Sequence, residues 1–397
     1  MKRIAVAVFI TLALAACQPE PQYTPTPTRT PGPDQAGTPA GPGEVAATPT
    51  SEAPTVLPTP TLFGRIGPDA FPPDVNPLTG LVVDDPAVLE RPPLLIKVSN
   101  APGVVIPQSG LQSADHVWEH IMEGWHVATR FTAVFLGETP DRVGSVRSGR
   151  PPDLELVPMY EGIFMASGFS TNRNAPGTPP RMRELMLAAD WVDRNFSYEF
   201  GYREPFAVRI PREGVAVEHT LFAVPAELWR LAEERFIPAS STLTPGFLFD
   251  AAPPDGGTPT SRADILYPGS AADATWQYSE TRGAWLRWTN GQEHQDALTG
   301  LQLGFENVVV LYAEHYNTDF IEDEGAQLWA VGADLTGVGN AVLLRDGQRY
   351  DVTWRRDASN RMIQFFGADG EQIAFKPGKT WFCLVSTTVE LPEVRFE

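Results

Sequence analysis

Ala341-Val342-Leu343-Leu344-Arg345-Asp346-Gly347-Gln348-Arg349-Tyr350-Asp351-Val352-Thr353-Trp354 holds two short strand-like runs on either side of an Asp-Gly turn. Both runs are rich in aliphatic, β-branched and aromatic residues, and Asp-Gly suits the tight turn between them. The same pattern continues outward. Residues 275–278, 284–288, 308–312, 327–331, 362–366 and 381–385 are further short runs of this kind, and Asp369-Gly370 marks another turn. Many short strands separated by turn residues describe a mainly β unit.

Upstream lies a break, residues 238–264, rich in Pro, Gly, Ser and Thr, and before it the pattern differs. Leu94-Leu95-Ile96-Lys97-Val98 reads as a buried strand, residues 129–136 as a second strand, and residues 143–146 as a third, short one. Residues 180–189 have helical character. Residues 226–235 are the clearest helix, with Pro225 at its start and Glu227, Glu233 and Glu234 on an exposed side. The expected fold class is therefore α+β: a mixed α/β part over residues 71–240, then a mainly β part over residues 260–397. Residues 114–124 fit two patterns. Val117, Glu119, Ile121 and Glu123 alternate with His116, Trp118, His120 and Met122 as on a strand, whereas a helix would align His116, His120 and Glu123.

The amino-terminal end decides the compartment. Lys2 and Arg3 precede an apolar run over residues 4–13, which ends in Leu14-Ala15-Ala16-Cys17. A run this short, with basic residues before it and small ones after it, is a secretory signal and not a membrane span. Cys17 supplies the thiol for lipid attachment, so residues 1–17 read as a lipoprotein signal that places the chain on the outer side of a cell membrane. Two or three acyl chains anchor stably where one does not. Residues 18–70 are Pro, Thr, Gly and Ala with few large apolar side chains, and read as a disordered or polyproline tether. Cys383, the second of two cysteines, sits in an apolar run and reads as a buried small hydrophobe.

Net charge is −19, which argues against nucleic acid and against broad contact with anionic membranes. A local basic site remains compatible with that balance. Arg130, Arg147 and Arg150, with Ser145 and Ser148 among them, form the sharpest cluster. Guanidinium forks suit phosphate, sulfate or carboxylate; the competing account is that they neutralise the protein's own carboxylates. Glu119 and Glu123 share a face on either a helix or a strand. They could be a general acid and base, as in sugar hydrolysis, or partners of those arginines. His116 and His120 beside them allow a metal reading on a helix, against exposed histidines as the plainer account. His294 and Asp296 read as polar surface. Trp276, Trp285, Trp288, Trp329, Trp354 and Trp381 read mostly as core, with one or two exposed indoles leaving sugar stacking open. There is no phosphate-cradling Gly loop, zinc-ribbon spacing or nucleotide fingerprint, and no metal or other cofactor is expected.

Taken in order, Pro107-Gln108-Ser109-Gly110-Leu111, Ala114-Asp115, Glu119, Glu123-Gly124, Thr129-Arg130-Phe131 and Val143-Gly144-Ser145-Val146-Arg147-Ser148 resemble the YerB-like lipoprotein family. Arg287-Trp288-Thr289-Asn290-Gly291, His294, Asp296 and Pro377-Gly378-Lys379-Thr380-Trp381 extend the resemblance over roughly residues 76–388. It implies an extracytoplasmic lipoprotein in two structural parts, of unknown function. His219-Thr220 stands where that family has His-Asn, and His116 and His120 stand where it has apolar or variable residues. The segment from Thr129-Arg130 to Arg150 is also distantly similar to the LytR-CpsA-Psr phosphotransferases, which set arginines around a polyprenyl pyrophosphate. The resulting expectation is an envelope lipoprotein that binds an anionic cell-wall or glycan ligand, or a partner protein. Arg130, Arg147 and Arg150 would carry the binding, oriented by Glu119 and Glu123. The alternative is an envelope hydrolase or phosphotransferase acting on a glycan or polyprenyl phosphate.

Overall fold

A computed structural model gives the fold and describes residues 64–397 except 124–128, 171–180, 268–272, 324–326 and 390. The signal, Cys17 and tether residues 18–63 lie outside the described residues. Along the chain the strands are β1 (Leu94–Ser99), β2 (His116–Ile121), β3 (Thr129–Phe135), β4 (Val143–Gly144), β5 (Ile163–Met165), β6 (Ala207–Arg209), β7 (Leu221–Ala223), β8 (Arg262–Leu266) and β9 (Ala274–Ser279). They continue as β10 (Ala284–Thr289), β11 (Asn307–Ala313), β12 (His315–Asp323), β13 (Leu328–Ala333), β14 (Gly337–Arg345), β15 (Gln348–Arg356), β16 (Gln364–Phe366), β17 (Thr380–Ser386) and β18 (Glu393–Phe396), besides several two-residue pieces. The α-helices among the described residues are α1 (Asp153–Tyr160), α2 (Met182–Ala188) and α3 (Pro225–Glu234). The fold is thus mixed but dominated by sheet.

The opening Asp346-Gly347 turn joins β14 to β15 with Arg345 opposite Gln348, and Asp346 and Gly347 both take positive φ. That hairpin is one side of a ten-stranded sheet whose main path runs β16-β15-β14-β11-β17-β2-β3-β1-β5. Strands from both expected parts enter this sheet. β17, near the carboxyl end, lies parallel to β2, with His116 opposite Thr380 and Glu119 opposite Cys383. The first and last thirds of the chain therefore complete one sheet. The fold also takes up the chain before residue 71, because Ile66 exchanges backbone hydrogen bonds with Phe249 at 2.9 and 2.8 Å.

Both faces of this sheet are covered, which is why its strands read as near-continuous apolar runs. Ile96, Val98, Val117, Phe131, Val310, Trp381 and Cys383 face one core with Trp276, Trp285 and Phe305 of a second sheet, β10-β9-β8-β18, and with α3. Leu95, Trp118, Val134, Val309, Leu343 and Phe382 face the other, with α1 and α2. Residues 114–124, open between helix and strand, contain β2, and its alternation sends His116, Trp118 and His120 to the α1 side.

Candidate anion site

The residues between β4 and α1 form the site's floor. Their backbone is held on both sides: Val146 N–H donates to Leu221 O at 2.7 Å, Arg147 N–H to Lys97 O at 3.0 Å, and Gly149 N–H to Gly168 O at 3.0 Å. A Cβ at Gly149 would lie 2.5 Å from the Phe169 ring, so the close approach requires glycine. This segment carries Arg147, Ser148 and Arg150 over the end of β1 and β3, where Arg130 projects from β3. The three arginines expected from the sequence do meet, yet they are held differently.

Arg150 is fully engaged. Its Nε and Nη2 donate to the two oxygens of Glu123 at 2.5 and 2.6 Å, and its Nη1 lies 3.2 Å from Glu322 Oε1. Burial alone would raise the Glu123 carboxyl, but the Arg150 guanidinium outweighs it and holds the group down at about 2. Glu322, on β12, also accepts from Ser170 Oγ at 2.7 Å. This is a carboxylate–arginine network of the structural kind.

Arg130 and Arg147 are not engaged in that way. Arg130 is 5 % exposed and donates through Nη1 to Ser148 O at 2.9 Å, while its buried Nε has no partner. Arg147, half-buried, donates through Nη1 to Glu218 O at 3.1 Å, and its Nε is likewise unpartnered. Among the described residues neither has a carboxylate within ion-pair distance. Burial, with Arg150 and Arg147 nearby, pushes Arg130 down to about 9 against the pull of Glu123 and Glu322. Burial and Arg150 lower Arg147 as well. Ser148 Oγ, half-buried beside them, is 3.5 Å from Ser167 Oγ.

Glu119 is not part of this site, contrary to the expectation that it shares a face with Glu123 and orients the arginines. β2 ends at Ile121, so the period-2 rule stops before Glu123, which turns back to Arg150. Glu119 points to the opposite face and receives Arg287 Nη2 at 2.9 and 3.0 Å, Thr129 Oγ at 2.7 Å and Trp381 Nε1 at 3.0 Å. Arg287 comes from β10 of the second sheet, 4.9 Å from the Trp381 ring centroid. The network closes into a ring. Arg287 donates to His294 Nδ1, His294 Nε2–H to Gln108 Oε1, Gln108 Nε2 to Asn100 Oδ1, and Asn100 Nδ2 to Thr129 Oγ. His294 and Asp296, expected at the surface, are buried, and Asp296 accepts from Gln112 N and Leu298 N.

His116 and His120, expected to be exposed, are likewise inside. His116 donates from Nε2 to Leu78 O and accepts at Nδ1 from Tyr160 OH, both at 2.7 Å, and burial drives it down to about 3. These tautomers follow from the partners. His120 bonds Lys97 Nζ and Ile121 O. Lys97 was legible only as one residue of an apolar strand, yet it is fully buried. It bonds Asp153 Oδ1 and Thr132 Oγ, each at 2.9 Å, and burial, partly offset by Asp153, lowers it to about 8. A lysine inside Leu-Leu-Ile-Lys-Val was the available signal, since an unpaired charge there would be prohibitive. Cys383 is buried, as expected. Trp276, Trp285, Trp354 and Trp381 are core, Trp288 is half-buried and Trp329 is 44 % exposed.

Comparison with known proteins agrees with the order of the motifs. Residues 78–235 match the family described as "Protein of unknown function (DUF3048) N-terminal domain", and residues 263–382 its C-terminal domain. "Putative lipoprotein YerB" of Bacillus subtilis (strain 168) is 27 % identical over 312 residues, 78 % of this chain and 85 % of that protein. The crystal structure of YerB protein from Bacillus subtilis superposes with a TM-score of 0.63 at 25 % identity, covering 81 % of this chain and 99 % of that one. The two matched segments flank the Pro/Gly-rich break near residue 240 and meet in one sheet. The chain belongs to the DUF3048 family, and carries its N- and C-terminal domains in sequence.

Proposed function

We propose that this protein is a cell-envelope lipoprotein, anchored through Cys17 on the extracytoplasmic side, whose domain binds an anionic envelope ligand through Arg130 and Arg147. One observation carries the binding: among the described residues, two adjacent guanidinia, one of them buried, have only backbone carbonyls as partners and retain unpartnered Nε–H groups. A carbonyl orients a guanidinium without neutralising it, and a buried cation left in that state is costly unless an anion completes it. Arg150, Glu123 and Glu322 hold the floor in place, and Ser148 offers a further hydroxyl. The lipoprotein name of the relative and the Leu14-Ala15-Ala16-Cys17 sequence support the anchor. An enzymatic role for Glu119 has no support, because both of its oxygens are occupied and it is fully buried. Glu123 is spanned by Arg150.

The test is thermal unfolding of the full-length chain in detergent against polyprenyl phosphates, muropeptides, teichoic-type polymers and inorganic phosphate. A ligand at about 100 times its dissociation constant stabilises by roughly 2.7 kcal/mol. The expected result is a shift with a phosphorylated ligand that disappears in Arg147→Ala. No shift with any of them would remove the anion reading and direct the search to a protein partner.

A further inference from the structure

The turn Val217–His219, between β6 and β7, is surrounded by arginines on its carbonyl side. Its three consecutive carbonyls each accept from a different guanidinium: Val217 O from Arg209 at 2.5 Å, Glu218 O from Arg147 at 3.1 Å, and His219 O from Arg212 at 3.3 Å. Among the described residues none of these three arginines has a carboxylate within ion-pair distance. Arg212 repeats the state of Arg130 and Arg147, with a buried Nε that has no partner, and the His219 imidazole has a buried Nδ1 without one. His219 is 8 % exposed. Burial and the nearness of Arg147, Arg212 and Arg130 hold it below the ordinary histidine value, with Glu218 pulling the other way. The unpaired groups of the candidate site thus continue past Arg147 to a third guanidinium and an imidazole.

Resting on the anion reading above, we infer that Arg212 and His219 complete that site and that the group it takes is a phosphoryl-type dianion. Three guanidinia reach it from β3, from the segment after β4 and from the loop after β6. Each has one edge already fixed by a carbonyl, Ser148 O, Glu218 O or His219 O, and the rest of its donors left over. A carboxylate offers one charge and two oxygens, which two of these groups would exhaust. A phosphoryl group offers three acceptor oxygens and close to two charges, which matches three guanidinia and an imidazole. Binding a dianion would cancel the arginine field that now opposes protonation of His219. The imidazole then takes up a proton as the ligand enters, and donates to it.

The test is calorimetric titration of the full-length chain in detergent with inorganic phosphate, sulfate and acetate. Vesicles bearing a polyprenyl monophosphate, with phosphatidylglycerol vesicles as control, ask whether the group is free or on a lipid. Expected are binding of phosphate and sulfate over acetate, or of the monophosphate vesicles over their control. Arg212→Gln and His219→Gln should each weaken that binding about tenfold, the cost of one charge-assisted contact. If Arg147→Ala abolishes binding but Arg212→Gln and His219→Gln change it less than twofold, the enlarged site is wrong and the two-arginine site stands. Acetate binding as tightly as phosphate would overturn the dianion. No binding of any probe would overturn both readings. Sulfate stays doubly ionised between pH 8 and 6, so its affinity should rise several-fold on acidification in the unmodified protein. A flat profile removes His219 as a ligand, even if its variants fail to fold.

Discussion

The central sheet carries a polar network on each face, and the two are built to different specifications. On the side of the second sheet, Glu119, Arg287, His294, Gln108, Asn100 and Thr129 close into a ring, with both oxygens of Glu119 occupied. On the α1 side, Arg150 is saturated by Glu123 and Glu322, but Arg130 and Arg147 beside it stop at carbonyls. Buried charges are tolerated where they are paired and bonded, so the ring reads as architecture joining the N-terminal strands to the second sheet. A network that stops short is what the proposed anion would complete. Arg287 Nε lacks a partner just as the Arg130 and Arg147 Nε groups do; what separates the two faces is the carboxylate, Glu119 on Arg287 and, among the described residues, none on Arg130 or Arg147.

The largest expected effect is common to both sides. His116, His120 and His294 are held neutral by burial, the last two also by neighbouring cations, and all lie far below their ordinary value. Below about pH 6.5 the unfolded chain binds these protons and the folded one does not, so stability falls as pH falls. Asp115, raised by burial to about 6, opposes part of this between about pH 4 and 6, because there the folded chain holds its proton more tightly. These three histidines against Asp115 leave roughly two protons, or about 3 kcal/mol per pH unit below pH 6, with His219 and His315, also lowered by burial, adding to the loss and Glu306, raised by burial, opposing it. Denaturant titrations from pH 7.5 to 5 should show the loss, and His294→Gln should reduce the slope by one proton.

Next come the saturated ion pairs. Arg287→Met would strand Glu119 on one face, and Arg150→Met would strand Glu123 and Glu322 on the other. Each should cost about 3–5 kcal/mol in chemical denaturation at pH 7. Arg130→Met is the smallest change and has the opposite sign. Removing an unpaired buried cation should leave stability unchanged or raise it by about 1 kcal/mol. If Arg130→Met is as damaging as Arg150→Met, the two arginines are equally structural and the contrast between paired and unpaired groups fails.

Much of the secondary structure was legible in residue pattern. The runs at 94–98, 308–312 and 348–354 became β1, β11 and β15, and Pro225 did open a helix. The arginine cluster was legible too, because Arg147 and Arg150 are close in sequence and Arg130 lies on an adjoining strand. Glu322 was not, since it reaches Arg150 from a hairpin more than a hundred residues away. Arg212 and His219 were equally hidden, and His219 stood out only as a departure from the family pattern.

The sequence by itself raised the expectation of an export signal ending at Cys17, and determined the composition of the residues after it, the strand periodicity and the family. Each depends on residue type or on neighbours within a few positions, which is where local sterics and hydrophobic period act. Only the tertiary structure decided that β17 pairs with β2 to make one sheet of the two halves, that Glu119 and Glu123 part company, and that Arg150 is neutralised while Arg130 and Arg147 are not. Whether a buried charge is paired depends on which distant side chain arrives within hydrogen-bond reach, and no local pattern encodes that.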